Sequence, residues 1–237
     1  LDLALSGPGM QARQNGKPTD FFAQQGFDRN DSGPDFDFYA KNRFVHHIDR
    51  RARQELADIY RTIIDPDHRV LDLMAGWESH VPDDLIPRHM HGVGLNANEL
   101  AANPALTAYT LQDLNAARRL EFKDNEFDTA VCSLSVEYLT NPISIFKEVA
   151  RVLKPGGTFA VTFSNRWFPE KAIRIWEDLH DFERMGLVIE YFIQSGCFGD
   201  IATISSRGFP RPQDDDYFPQ LRLSDPIYAV TGRTSNR

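Results

Sequence analysis

Short apolar runs alternate with helix-type segments through the middle of the chain, and this alternation constrains the fold more than any other feature. Five runs fit buried strands: HRVLDLMA, HGVGLN, AYTLQDLN, FDTAVCSLSVEYL, which runs on into a loop, and TFAVTFSN. Before the last of them, ISIFKEVARVL places Ile145 and Val149 on one helical face, and Pro155-Gly156-Gly157 stops the helix. Strands that alternate with helices form a parallel sheet with covered faces, so we predict an α/β domain.

Both flanks of this region extend the same domain. Residues 1–37 are rich in Gly, Asp, Gln, Asn and Pro, and we predict an irregular arm that packs through the aromatics of FFAQQGF and DFDFY. Apolar residues recur every three or four positions from Phe38 to Ile64, which predicts one amphipathic helix. We therefore assign residues 1–64 to an arm and cap helix that form an N-terminal helical lid, and residues 65–237 to the body of the domain.

The last third of the chain adds helices and an edge hairpin. We predict helices near Pro169–Leu179 and Phe182–Gln194, a sixth strand in DIATISSRG and a seventh in PIYAVTGR. Between these strands, RGFPRPQDDDYFPQLRLSD holds too many Pro and Asp residues for a helix or strand. We expect it to form a long loop that overhangs the functional site.

Composition favours small-molecule chemistry. The net charge of −8 over 237 residues argues against a large phosphate-binding surface, so we expect no nucleic-acid partner. The sequence contains no apolar run of about 20 residues, and its opening LDLALSGPGM does not read as a signal peptide. The two cysteines lack metal spacing, and no other metal-ligand pattern is present. We therefore expect a cytoplasmic protein with neither a membrane partner nor a metal, and the oligomeric state stays open.

The order of the central motifs resembles a known family. The segments are VLDL, GLN, the region of Asp113, LEFKDNEFDTAVCSLSVEYL and, most specifically, EVARVLKPGGTFAVTFSN. They resemble the class I S-adenosylmethionine-dependent methyltransferases, particularly the methyltransferase type 11 group, with a degenerate first glycine motif. The resemblance implies a seven-stranded Rossmann-like sheet whose last strand lies antiparallel between the fifth and sixth. It also implies S-adenosylmethionine as methyl donor, S-adenosylhomocysteine as product and a small-molecule acceptor.

The first glycine turn is the weakest part of this resemblance. Family turns carry three glycines, whereas VLDLMAGWESH keeps only Gly76 and places Met74 and Glu78 at the other two positions. We expect Gly76 to give a turn with positive φ and no Cβ in the way of a cofactor. A bulky Met74 restricts such a turn. A turn that no longer binds cofactor is the alternative.

Polar residues at the next strand ends complete the expected cofactor site. Ligands of such sheets lie outside the carboxyl ends of the strands. The resemblance places Asn96 where a carboxylate usually meets the ribose, with Glu99 as a substitute one turn later. The alternative for Asn96 is a helix cap. Asp113 matches the acceptor for the adenine amine, with the Leu114 amide as a neighbouring donor.

The chemistry of methyl transfer suggests the remaining candidates. The enzyme must align the reacting atoms and exclude water, and electron-rich rings attract a sulfonium. A general base is needed only for a hydroxyl or protonated amine, and the candidates are His46, His47, His80 and Glu137. Packing or structural roles are the alternatives for each ring and histidine. The predicted site comprises the catalytic residues His47, Glu137 and Tyr138; the cofactor-binding residues Asp72, Met74, Gly76, Trp77, Asn96, Asp113, Leu114 and Ser133; and the substrate-contacting residues Tyr39, Asn165, Arg166 and Trp167.

Two other classes of protein remain open at this point. The altered glycine turn fits a non-catalytic, cofactor-sensing or structural relative. A nicotinamide-dependent oxidoreductase shares the strand–turn–helix arrangement, but the chain lacks GxGxxG and has the Lys-Pro-Gly-Gly segment instead.

Overall fold

A seven-stranded sheet forms the centre of the computed structural model, which describes residues 24–235. The strand order is β3-β2-β1-β4-β5-β7-β6, and β7 runs antiparallel to both of its neighbours. This arrangement confirms the predicted fold class. The strands are β1 (Arg69–Ala75), β2 (His89–Gly94), β3 (Ala108–Leu111), β4 (Phe127–Ser133), β5 (Leu153–Phe163), β6 (Phe198–Ser206) and β7 (Ile227–Thr234).

Helices cover the sheet on both faces, where buried apolar residues form two clusters. None of the helices within residues 24–235 is long and apolar enough to span a bilayer. They are α1 (Asp35–Tyr39), α2 (Arg50–Arg61), α3 (Ala97–Ala102), α4 (Pro142–Val152), α5 (Arg174–Asp178) and α6 (Asp181–Ser195), with 3-10 turns at Gln24–Phe27 and Val136–Tyr138.

The single helix predicted from Phe38 to Ile64 is wrong in its first half. The Asp49 carboxylate accepts hydrogen bonds from the backbone of Arg51 and Ala52, so the helix begins at residue 50. Helix α1 ends at Tyr39, residues 40–49 are irregular, and Phe44 is 49% exposed rather than buried. The side-chain cap marks the start of the helix, which apolar spacing alone does not show.

The lid prediction also changes, because α2 lies against the sheet instead of over the site. Its residues Ala52, Leu56 and Tyr60 are fully buried in one cluster with Val131 and Ala160. The segment that crosses the site is residues 39–47, which we call the strap. Most of the predicted arm over residues 1–37 lies outside the described residues. Within the described part, the ring of Phe27 packs 6.3 Å from that of Tyr191.

The Lys-Pro-Gly-Gly segment starts β5 rather than only ending α4. The helix ends at Val152, and the strand begins at Leu153 opposite Phe127. A Cβ on Gly157 would lie 2.8 Å from the Lys154 carbonyl oxygen and 3.0 Å from that of Asp128. Such short distances exclude a side chain, so this glycine permits the close approach of β4 and β5.

The loop of residues 207–226 joins β6 to β7 and folds back toward the carboxyl ends of the strands. It is closed at its base by an antiparallel bridge between Pro210 and Leu223. Its residues Asp216 and Tyr217 line the central cleft, as the predicted overhanging loop requires.

Candidate functional site

A cleft of about 880 Å³ opens at the carboxyl ends of the central strands. This volume lies in the upper part of the range of roughly 300–1,000 Å³ that small-molecule pockets occupy. Most of the residues predicted from the sequence line it together: Tyr39, His47, Met74, Gly76, Trp77, Asn96, Asp113, Leu114, Ser133, Tyr138, Asn165, Arg166 and Trp167.

Asp72 is predicted to bind cofactor, but it lies behind the turn and does not line the cleft. It is 1% exposed, and burial raises its pKa to about 7. Its Oδ2 accepts a 2.6 Å hydrogen bond from the Ser79 hydroxyl, which in turn accepts one from Asn103 Nδ2. Asn103 Nδ2 also lies 2.8 Å from the Gly76 carbonyl oxygen. Asp72 therefore supports the turn through a chain of hydrogen bonds.

Glu137 is also misplaced by the sequence prediction, because it is buried in the core rather than in the cleft. It is 1% exposed, and neither carboxylate oxygen has a hydrogen-bond partner among residues 24–235. Burial raises its pKa to about 8, so the side chain is mostly protonated at neutral pH. A neutral acid outside the cleft does not act as the general base for a substrate bound there.

The left-handed residue of the glycine turn is Met74, with φ of 56°, and not Gly76. The pairing of β1 with β2 shifts between Leu73 and Ala75, and the positive φ lies at this irregularity. The prediction for the φ of Gly76 is therefore wrong. A left-handed conformation at a residue with a Cβ costs roughly 1–2 kcal/mol. Such strain often accompanies functional sites, and His80 and Leu134 in the same cleft also have positive φ.

Gly94 at the end of β2 is a required glycine that sequence reasoning missed. A Cβ at this position would lie 2.3 Å from the Ala75 carbonyl oxygen and 3.1 Å from a Leu100 methyl carbon. A Cβ on Gly76, in contrast, would lie 3.4 Å from Glu99 Oε2, which is an acceptable contact. The absence of a side chain at Gly76 therefore leaves the cleft open, whereas its absence at Gly94 lets two strands meet.

Asn96 takes the capping role that was its alternative. Its Oδ1 accepts hydrogen bonds from the backbone of Asn98 at 3.0 Å and Glu99 at 3.1 Å, at the start of α3. Its Nδ2 donates to the Tyr39 carbonyl oxygen at 2.9 Å and to Asn42 Oδ1 at 3.0 Å. The amide is thus committed to the helix and to the strap, which leaves it poorly suited to a ribose.

Glu99, the predicted substitute for Asn96, lines the cleft one turn later. Its Oε1 accepts a 2.7 Å hydrogen bond from the backbone of Arg43, and its Oε2 faces Gly76. Burial raises the pKa of this carboxyl, opposed by the hydrogen bond and the charge of Arg43. One carboxylate oxygen therefore faces the floor of the cleft as an acceptor for hydroxyl groups.

Asp113 lies at the end of β3, where its Oδ1 accepts hydrogen bonds from the backbone of Asn115 and Ala116. Asn115, which the sequence analysis missed, connects this turn to the opposite wall. Its Nδ2 donates to the Tyr138 carbonyl oxygen and to Asp35 Oδ2, each at 2.9 Å. The role of Asp113 and Leu114 toward adenine stays a prediction.

Trp77 holds the strap in place. Its Nε1 donates a 3.1 Å hydrogen bond to the Val45 carbonyl oxygen, and its ring lies 4.9 Å from that of His46. His46 Nδ1 lies 2.8 Å from Glu78 Oε2. The two residues after Gly76 therefore anchor the strap over the cleft, and Trp77 has the packing role that was its alternative.

Rings of the strap and of the cleft wall surround the guanidinium of Arg43, a strap residue. Tyr138 and Phe168 stack at 6.1 Å, and Tyr39 meets both edge-on at 6.5 Å. The guanidinium of Arg43 lies 5.3 Å from the ring centre of Phe168 and 5.4 Å from that of Tyr39. Burial raises the pKa of Tyr138 well above its usual value, so its hydroxyl stays protonated and is a poor base.

His47 is the predicted catalytic residue whose position suits a general base. Its ring stands edge-on to Phe168 at 5.4 Å and lines the cleft. Burial lowers its pKa, and the neighbouring Arg43 lowers it further. The imidazole is therefore mostly neutral at pH 7 and free to accept a proton. Its catalytic use stays a prediction.

Within the described residues, one group has metal-ligand geometry, Asp65, Asp67 and His68. These residues precede β1, at the end of the strand away from the cleft, and both aspartates are exposed. Exposed acidic groups are common without a metal, so this group gives no reason to assign one.

Comparisons with known proteins agree with this architecture. Residues 84–161 match the model of a family described as "Methyltransferase domain". The chain is 46% identical over 43 residues to the biotin biosynthesis bifunctional protein BioHC of Teredinibacter turnerae, a match that covers 18% of this chain and 8% of that protein. It is 36% identical over 73 residues to the ubiquinone/menaquinone biosynthesis C-methyltransferase UbiE of Laribacter hongkongensis, which covers 30% of this chain and 29% of the relative. The matches thus span a minor part of these relatives.

A solved structure extends the similarity to most of the chain. An S-adenosylmethionine-dependent methyltransferase of Thermotoga maritima, described as a possible histamine N-methyltransferase, superposes with a TM-score of 0.56 and 16% sequence identity. The superposition covers 78% of this chain and 91% of that one. At this identity the likeness concerns the fold. The resemblance to class I methyltransferases is therefore confirmed in the fold and in the matched segment.

Proposed function

We propose that this chain, which has the class I methyltransferase fold, transfers a methyl group from S-adenosylmethionine to a small-molecule acceptor. The observation that carries the proposal is the meeting of Gly76, Glu99 and Asp113 around one cleft at the strand ends. A nucleoside with an amino-acid tail needs close backbone approach, an acceptor for ribose hydroxyls and an acceptor for the adenine amine. These three residues offer one of each.

Residues at different strand ends bind different parts of the cofactor in this proposal. The tail passes over Gly76, where no side chain fills the floor, and the ribose hydroxyls donate to Glu99 Oε2. The adenine lies toward Asp113 and Leu114, which line the cleft after β3. The sulfonium supplies the leaving group for methyl transfer, so the protein has to align the acceptor with the methyl carbon and exclude water.

The strap and His47 serve these two needs. The strap is tied to the body at Glu99, Asn96 and Trp77, and it covers the cleft where water has to be excluded. A neutral His47 removes the proton from an acceptor hydroxyl or protonated amine. An acceptor whose nucleophilic atom has no proton to lose bypasses this step.

A second candidate function has its own support. Met74 keeps a strained conformation in the glycine turn, and Arg43 fills the ring cluster while its backbone binds Glu99. A protein that binds the cofactor only to sense it tolerates such obstruction better than an enzyme does. Turnover with a methyl acceptor separates the two functions, since both predict binding of S-adenosylhomocysteine.

The test of the cofactor site is calorimetric titration of S-adenosylhomocysteine into the wild type and Glu99→Gln. We expect binding to weaken about tenfold, because a carboxylate accepts stronger hydrogen bonds than an amide oxygen. Glu177→Gln, an exposed position on α5 outside the cleft, is the matched control and keeps full affinity. Equal affinities in Glu99→Gln and the wild type would remove Glu99 from the site.

A further inference from the structure

The geometry points to Arg166 as the residue that selects the methyl acceptor, by binding a carboxylate of that molecule. This inference rests on the proposed function, because it concerns the second substrate of the same cleft. Arg166 follows β5 and lines the cleft, and its side chain keeps 30% exposure.

The guanidinium of Arg166 is held on one edge and one face. Its Nε donates a 3.0 Å hydrogen bond to Asp225 Oδ1, and its Cζ lies 4.7 Å from the ring centre of Tyr217. No other residue among those described forms a hydrogen bond with this side chain. The pair of terminal nitrogens therefore remains available to a ligand. A fixed guanidinium with its fork open is suited to a bidentate carboxylate.

Asp225, the group that fixes Arg166, is itself rigid. Its side chain is 3% exposed, and Oδ1 also accepts a 2.6 Å hydrogen bond from Arg211 Nη2. Its Oδ2 accepts a 3.0 Å hydrogen bond from the backbone of Asp49, the residue that caps α2. The orientation of Arg166 thus depends on a buried network tied to a helix end, and ligand binding need not order the side chain first.

The charges near Arg166 leave it able to attract an anion. One carboxylate, that of Asp225, is shared between the guanidiniums of Arg166 and Arg211. Arg211 forms two further ion pairs, at 2.9 Å with Asp215 and at 3.5 Å with Asp49, so these two acids are already paired. Asp216 also lines the cleft, but it is exposed on the overhanging loop. An acceptor with a carboxylate has a directed partner in Arg166. Four other acids line the cleft, and each already has a hydrogen-bond or ion-pair partner within the protein: Asp35, Glu78, Glu99 and Asp113.

The experiment compares three small probes of similar shape that differ in charge: benzoate, benzyl alcohol and benzylamine. Each is titrated into the full chain with and without saturating S-adenosylhomocysteine. The proteins are the wild type, Arg166→Gln, Arg166→Lys and the control Arg222→Gln. Arg222 also lies on a ring, 4.6 Å from Phe218, but it does not line the cleft.

We expect the wild type and Arg222→Gln to bind benzoate about tenfold more tightly than either neutral or cationic probe. Arg166→Gln loses this preference, and Arg166→Lys keeps a small part of it because the fork is gone. Equal binding of the three probes by the wild type, or a benzoate preference that survives in Arg166→Gln, would overturn the inference. Thermal unfolding of each variant shows that it is folded.

The titration of S-adenosylhomocysteine alone separates this inference from the proposed function. If Arg166→Gln weakens that cofactor and not benzoate, Arg166 holds the carboxylate of the cofactor and the inference is wrong. If the wild type fails to bind S-adenosylhomocysteine, the proposed function falls, and the inference falls with it. If cofactor binds normally and benzoate shows no preference, only the inference fails.

Discussion

The substitution Gly94→Ala tests the claim that the floor of the cleft depends on the close meeting of β1 and β2. A Cβ at this position would lie 2.3 Å from the Ala75 carbonyl oxygen, a backbone atom that cannot rotate away. Cβ atoms essentially never approach another atom closer than 3.0 Å. The two strand ends would therefore have to separate by about 0.7 Å, and overpacking of this kind costs roughly 1–3 kcal/mol.

The expected size of the effect is near the upper end of that range. Relief requires movement of backbone, and Leu100 at 3.1 Å blocks part of it. A loss of about 3 kcal/mol lowers the unfolding midpoint of a chain of this length by roughly 6–12 °C. Because Gly94 lines the cleft, we also expect weaker binding of S-adenosylhomocysteine by the variant.

Thermal unfolding followed by circular dichroism is the assay, and Gly199→Ala is the matched control. Gly199 lies on the edge strand β6, and a Cβ there would meet nothing within 4 Å. We expect this variant to unfold at the wild-type midpoint or slightly above it, because alanine lowers the entropy of the unfolded chain. Equal midpoints for the two variants would refute the close approach at Gly94.

Two further predictions concern the turn and the core. Gly76→Ala leaves the unfolding midpoint nearly unchanged, since a Cβ at this position is accommodated. In calorimetry it weakens the binding of S-adenosylhomocysteine about tenfold, because the methyl group fills the floor of the cleft. Unchanged affinity would show that the cofactor does not pass there. Burial holds the pKa of Glu137 at about 8 in the folded chain, so the free energy of unfolding falls as pH rises from the unfolded value near 4.5 toward 8. Glu137→Gln therefore reduces the dependence of the unfolding midpoint on pH between pH 6.5 and 8. This window lies above the titration of His80, whose pKa is lowered to about 4 and whose effect has the opposite sign. Asp72, with a pKa of about 7, keeps part of the slope. A slope equal to that of the wild type would contradict the burial of an ionisable Glu137.

The strands were predictable because buried strands require continuous apolar runs, which are visible in the sequence. Runs such as VLDL and TFAVTF are apolar because both faces of the central strands are covered. The edge hairpin of β6 and β7 was predictable from the loop between them, whereas the position of β7 between β5 and β6 came from the family resemblance. The helix predicted from Phe38 failed for a different reason. Apolar spacing continues through Phe44, and only the side-chain contacts of Asp49 show where the helix begins.

The site was predictable at the level of strand ends and less so at the level of atoms. Asn96 and Glu99 are three residues apart, and the sequence does not show that the strap uses up the amide of Asn96. Gly94 was missed because the requirement for glycine comes from a tertiary contact. The carbonyl oxygen that would clash with a Cβ at this position belongs to Ala75 on another strand. Asp72 and Glu137 were misassigned because both are acids near strand ends, and only burial separates them from acids that face the cleft.

The most direct measurement of the central claim is thermal unfolding of the wild type with S-adenosylmethionine, S-adenosylhomocysteine and NADH, each added alone. A ligand at a hundred times its dissociation constant adds about 2.7 kcal/mol to the free energy of unfolding. For a chain of this size, that corresponds to a midpoint rise of roughly 5–10 °C. We predict such a rise with both sulfur cofactors and none with NADH. No rise with either sulfur cofactor at millimolar concentration would contradict the account of the cleft.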